Sequence, residues 1–136
     1  MTRPCMACDA AAGMIAFREE SMDIEHRGQR TRVDGLSGLR CPSCGEVEFS
    51  AESAARYAAA GDALVIAARR ATGEELRRIR KKLQLKQSEA ALLTGGGHNA
   101  FSRYETGAVE PSPAVINLFR LLEKHPEELE TLKAGS

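Results

Sequence analysis

The hydrophobic positions change period along the chain. Met22, Ile24 and His26 alternate with Asp23 and Glu25, a period of two that predicts a half-buried β-strand. Arg27-Gly28-Gln29 and Asp34-Gly35 read as turns, so a small, twisted antiparallel sheet is expected here. From Ser50 the pattern becomes helical and Ala-rich, "SAESAARYAAAGDALVIAARR". Ser50 suits an N-cap, and Ala54, Ala58, Gly61, Val65 and Ala68 recur at spacings of four and three. A helix reaching Arg70 would be about 30 Å long, with Gly61 a place where it bends or ends. It is expected to link two domains, residues 1–70 and 71–136, with the joint near Ala71-Thr72-Gly73.

Beyond that joint the pattern is helical throughout. Thr72 and Glu75 have capping-box spacing, and Leu76, Ile79 and Leu83 form the apolar face of a first helix. "LKQSEAALLTG" predicts a second, with Ala90, Leu92 and Leu93 inward, stopped by Gly95-Gly96-Gly97. "HNAFSRYE" restarts as a third. Ser112-Pro113 pairs an N-cap with proline at the first helical position, opening a fourth helix lined by Val115, Leu118, Phe119 and Leu122. Pro126 begins a short fifth. The expected fold is therefore α+β: a small antiparallel β domain with a linking helix, then an all-α five-helix domain.

Two short helices joined by a Gly-containing turn follow the helix-turn-helix plan, in which the second helix turns its N-terminal residues to base edges. Ala100, Phe101 and Tyr104 would face inward, leaving Asn99, Ser102, Arg103 and Thr106 outward. Asn99 and Arg103 are four apart and so share a face. Asparagine can hold adenine, and arginine guanine, through two hydrogen bonds.

Composition adds bounds. The 136 residues are 43% apolar and 28% charged, with no Trp, so a core must be built from Leu, Ile, Val and Ala. Lys+Arg and Asp+Glu both total 19, yet residues 69–103 hold nine basic and three acidic side chains. That local excess attracts phosphate even in a neutral chain. No stretch is apolar enough to span a bilayer, and the apolar run near the start is short and interrupted by Asp9, unlike a signal peptide. A cytoplasmic location is expected, where thiols stay reduced.

All four cysteines lie in C-x-x-C pairs, Cys5/Cys8 and Cys41/Cys44. Each spacing lets one tight turn aim two thiolates at one point, with Pro42 and Gly45 suited to such a turn. Two such turns close a tetrahedron about Zn²⁺. Four protein ligands leave no open position, so one structural zinc per chain is expected, stapling a domain too small to fold on its core alone. The alternatives are two disulfides, which a reducing compartment disfavours, and a rubredoxin-like iron centre with the same ligands. His26 is expected to be a strand residue rather than a fifth ligand. His26, His98 and His125 lack an evident catalytic partner and every cysteine is committed, so no enzyme is expected.

"RIRKKLQLKQSEAALLTGGGHNAFSRYETGAVEPSPAVINLFRLLEKHP" resembles the Xre/Cro-type helix-turn-helix, and more narrowly the C-terminal domain of the MqsA (YgiT-type) antitoxin family. The specific part is Gly95-Gly96-Gly97-x-Asn99-Ala100-Phe101-Ser102-Arg103-Tyr104-Glu105-x-Gly107. The N-terminal C-x-x-C…C-P-x-C-G is similar to that family's zinc domain, so the resemblance covers nearly the whole chain. It implies a type II antitoxin whose zinc domain restrains an mRNA-cleaving ribonuclease toxin. It further implies that the helical domain dimerises on a palindromic operator and represses its own operon.

The family's base-reading residues fall on Asn99 and Arg103. Gln87 matches an Xre position that contacts phosphate, Arg80 and Glu105 match an internal ion pair, and His98 falls at a variable position beside the reading residues. Lys81, Lys82, Lys86 and Gln87 would position the complex on phosphates, with His98 and Ser102 as supporting residues. The fourth and fifth helices are candidates for the dimer surface because they carry more apolar residues (Leu118, Phe119, Leu121, Leu122, Leu129 and Leu132) than a small core requires. A stand-alone zinc-containing regulator with no toxin is the alternative, and electron transfer through an iron centre a third.

Overall fold

The computed structural model describes residues 3–8 and 11–135; Asp9 lies outside them. The chain divides into two compact units, Met1–Val65 and Ile66–Ser136. The first carries strands β1 (Ile15–His26), β2 (Gln29–Arg40) and β3 (Val47–Phe49), an antiparallel sheet in the order β1-β2-β3. The period of two is real: Met22, Ile24 and His26 are half-buried, while Asp23 and Glu25 are exposed. Arg27 and Gly28, both at positive φ, close the hairpin between His26 and Gln29.

Asp34-Gly35 is not a chain reversal. It lies inside β2, where Asp34 and Gly35 (φ 68°) oppose Ser21 alone. Two residues facing one is a β-bulge, and glycine supplies the left-handed conformation it needs. A second bulge lies in the other strand, where Arg18 and Glu19 (φ 52°) oppose Ser37. The two offset each other, so the register on either side is the same. Arg56 donates to the carbonyls of Asp34 and Gly35 at 2.8 and 2.7 Å, satisfying groups the bulge removes from the ladder. Phe17, Val33 and Leu36 form the buried centre, with Phe49 and Tyr57 rings 4.9 Å apart beside it.

Helix α1 runs unbroken over Ala51–Lys82, 32 residues and roughly 48 Å at 1.5 Å per residue. Ser50 caps it, accepting from the Ser53 amide at 3.3 Å. The helix continues through Ala71-Thr72-Gly73 without a break, and the capping-box spacing of Thr72 and Glu75 falls within it. The buried positions show why: Leu64, Ala68, Leu76 and Ile79 keep helical spacing across it, so a break would forfeit burial. The stripe also differs from expectation. Ala54 and Ala58 are exposed, while Ser53, Tyr57, Ala60 and Leu64 turn inward, because Tyr57 and Leu64 offer more apolar area than alanines.

The second unit takes the end of α1 with α2 (Gln87–Leu93), α3 (Ala100–Thr106), α4 (Pro113–Lys124), a 3₁₀ turn (Pro126–Glu128) and α5 (Leu129–Ala134). Its core joins Leu76, Ile79, Leu85, Ala90, Ala91, Phe101, Val115, Phe119, Leu122 and Leu129. Leu92 was expected inward and is instead 73% exposed, its place taken by Ala91. Four consecutive apolar residues, 90–93, leave the buried face ambiguous, and the small Ala91 lets α2 sit close. Ser112 caps α4 as expected, accepting from the Val115 amide, with Pro113 at the first helical position. Of the six residues proposed as a dimer surface, Phe119, Leu122 and Leu129 are consumed by this core; Leu121 stands exposed. Among the described residues, no helix is long and apolar enough to cross a membrane.

Candidate metal centre and nucleic-acid interface

The cysteines come together from two loops. Cys5 and Cys8 precede β1, held where the Met14 amide donates to the Arg3 carbonyl at 2.7 Å. Cys41 follows β2 directly, in a turn closed by Gly45 N–H to the Cys41 carbonyl at 2.9 Å, with Gly45 at φ 80°. The sulfurs of Cys5 and Cys44 lie 3.7 Å apart, as do those of Cys8 and Cys41. All four fall within 4.8 Å of one another and none is in a disulfide. With metal–sulfur bonds of about 2.3 Å, a tetrahedron has S–S edges of about 3.8 Å. The cluster therefore fits a metal ion such as zinc. His26, at the end of β1, is not part of the group.

Local backbone dipoles prepare the turn for thiolate. The Cys44 amide, helped by that of Ser43 and by Cys8, outweighs burial and lowers the Cys41 thiol to about 6. At Cys44 the Glu46 amide favours the thiolate, but burial and the neighbouring Cys41 and Cys5 sulfurs prevail and raise it. Four sulfurs held this close repel as thiolates unless a cation sits among them.

In the second unit the turn between α2 and α3 explains its glycines. Gly95 adopts φ 71°, and the Gly96 amide returns to the Ala91 carbonyl at 3.0 Å, a Schellman-type stop. A Cβ on Gly96 would lie 3.0 Å from that of Ala100, so the turn folds closely against the first residue of α3. Phe101 is fully buried, its ring 5.0 Å from Phe119 and 5.4 Å from Tyr104. Asn99, Arg103 and Thr106 are left exposed and Ser102 half-buried. Asn99 precedes the first residue of α3, and its carbonyl accepts from the Arg103 amide at 3.2 Å and from Ser102 Oγ at 3.2 Å.

Lys86, Gln87, His98, Asn99 and Ser102 line one open cleft of about 470 Å³, together with Arg80 and Ser88. Ser88 was not anticipated; its place beside Gln87 at the start of α2 was the available signal. Lys81 and Lys82 are exposed at the end of α1 and do not line the cleft; Lys82 Nζ lies 3.7 Å from Glu123.

Beneath the cleft Arg80 makes a two-pronged ion pair with Glu105, 2.7 and 2.9 Å, and donates to the Leu85 carbonyl at 2.8 Å. The two side chains are only 11% and 4% exposed. Gln87 Nε2 also donates to Glu105, at 3.3 Å, which holds the amide at the cleft wall. Breaking a buried pair from one side leaves a charge unpaired and costs roughly 3–5 kcal/mol. Glu105→Ala is accordingly expected to lower the urea stability of the helical unit by about that amount. A change below 1 kcal/mol would mean that Arg80 readily regains water.

Comparison with known proteins gives a concordant picture. A family model described as the antitoxin component of bacterial toxin-antitoxin system, MqsA, matches residues 3–133. Antitoxin MqsA of Escherichia coli (strain K12) is 40% identical over 109 residues, covering 79% of this chain and 83% of that protein.

Proposed function

Since the chain belongs to the MqsA family of antitoxins, we propose that its first unit neutralises a toxin and its second represses transcription from its own promoter. The family places it as the antitoxin component of a bacterial toxin–antitoxin pair. The toxin is an mRNA-cleaving ribonuclease, engaged by the sheet unit. That unit is stapled by one structural zinc on Cys5, Cys8, Cys41 and Cys44. The zinc supplies folding energy and carries no reaction step.

The observation that supports operator binding is the division of labour on α3. Phe101 and Glu105 are committed inward, so Asn99 and Arg103 are presented outward one turn apart. A dimer sets two such helices about one DNA turn apart, or a multiple of it, on one face of a palindromic site. Lys86 and Gln87 contact flanking phosphates, and each phosphate neutralised steepens the dependence on salt. Lys81 and Lys82 lie farther from the cleft and contribute long-range attraction. Regulation of this kind requires no catalysis by the chain.

Coexpression with the product of the adjacent gene tests the partnership. The two proteins are expected to copurify, with RNA cleavage by the neighbour suppressed in the complex. A neighbour that neither binds the chain nor cleaves RNA would leave a stand-alone regulator.

A further inference from the structure

Helix α3 has only seven residues, too few to hold itself in place, so its pose depends on what it leans against. Its start is fixed through Phe101. Its last turn meets the backbone of α1. Gly73, buried in the interior of α1, has no side chain, and a Cβ there would lie 2.3 Å from the Tyr104 carbonyl oxygen and 3.1 Å from that of Glu105. Gly107, which caps α3 at φ 81°, lies against Arg70, where a Cβ would meet Cγ at 3.0 Å and Cα at 3.4 Å. Arg70 and Gly73 are three residues apart and share a face of α1. Arg80, two turns beyond Gly73, grips Glu105 from the same helix.

Glycine weakens a helix interior, so its presence there asks for a reason. Gly61, on the same helix, has nothing within 4 Å of a built Cβ; a side chain would fit. At Gly73 none would fit without moving α3.

We propose that Gly73 is a positioning residue for base recognition: its bare backbone lets α1 touch the carbonyls of the last turn of α3, and that contact sets the direction in which Asn99 and Arg103 are presented. The inference rests on the DNA-reading role proposed above. A methyl at position 73 would have to drive the Tyr104 carbonyl outward by about 1 Å to reach ordinary contact, and Arg103, its neighbour in sequence, would move with it. Two-pronged hydrogen bonds tolerate roughly half that displacement.

The test compares the full-length chain with Gly73→Ala and Gly61→Ala. Each binds a duplex spanning its own promoter and a scrambled duplex of equal composition, at a temperature where circular dichroism shows it folded, with metal content measured alongside. Gly73→Ala is expected to lower the promoter-over-scrambled ratio about tenfold or more while its affinity for the scrambled duplex stays within about twofold. Gly61→Ala is expected to match the parent chain. If Gly73→Ala does not fold, Gly107→Asn is read in its place, since asparagine tolerates the left-handed conformation while its Cβ presses on Arg70; a fall of about threefold is expected. A folded variant with the parent ratio, or with equal losses on both duplexes, overturns the proposal. A parent chain with no preference for its promoter removes the DNA-reading role itself.

Discussion

Arg103→Ala is expected to lower the preference for operator over unrelated DNA steeply, leaving the share carried by Asn99 and a salt-sensitive affinity for either duplex. An arginine holding guanine by two hydrogen bonds contributes roughly 1–3 kcal/mol of discrimination, about 5- to 150-fold at each half-site. Phosphate attraction from Lys86 and the basic end of α1 would not depend on sequence and is expected to survive the change. The fold should survive too, because Arg103 is exposed and alanine is the better helix former. Thermal unfolding of the variant is expected to match the parent within error. That separates it from Glu105→Ala, where loss of binding would follow loss of stability. Gel-shift competition against scrambled DNA reads the preference; an unchanged ratio would remove Arg103 from the recognition set.

Cys41→Ser is expected to have the opposite pattern: lost metal, an unfolded sheet unit, and retained operator binding. Cys41 is 1% exposed and packs with Cys5 and Met14 in a small buried cluster. The remaining centre of that unit is Phe17, Val33 and Leu36 with half-buried neighbours, a thin core for a domain of its size. Structural zinc sites supply roughly 10–16 kcal/mol of apparent binding energy in small domains, well above what such a core can replace. Calorimetry should therefore show one unfolding transition lost or moved far down and the transition of the helical unit kept. Elemental analysis should fall from one zinc per chain to none, and toxin binding should be lost. A Cys41→Ser chain that keeps its metal and both transitions would contradict the staple. A red, reversibly reducible parent protein would mean iron occupies the site instead of zinc.

Features set by a few neighbouring residues were legible in advance. The two C-x-x-C pairs, the Ser50 and Ser112 caps and the stop at Gly95 are local: the four sulfurs come together, both serines accept from an amide three residues on, and Gly95 takes a positive φ. The Arg80–Glu105 pair spans 25 residues of sequence and was visible only through family resemblance. What escaped were features decided by the rest of the fold. Asp34-Gly35 asks for positive φ whether it turns a chain or bulges a strand, and only the pairing with β1 settles which. Thr72-Gly73 looks like a helix start, yet the glycine answers a crossing with α3. Among residues 90–93, the choice of Ala91 over Leu92 for the interior depends on how α2 packs. The core takes in Phe119, Leu122 and Leu129 from α4 and α5 because its buried residues from α2 are the small Ala90 and Ala91 and from α3 Phe101.

Direct reading of a base edge by Arg103 is tested most directly by a double-mutant cycle across the interface. The parent chain and Arg103→Ala would each be titrated with operator duplexes in which one guanine at a time is replaced by 7-deazaguanine, which lacks the N7 acceptor. The account predicts one guanine in each half-site whose replacement weakens the parent chain and costs the variant nothing further. Equal losses for both proteins at every guanine would place Arg103 away from the bases and contradict it.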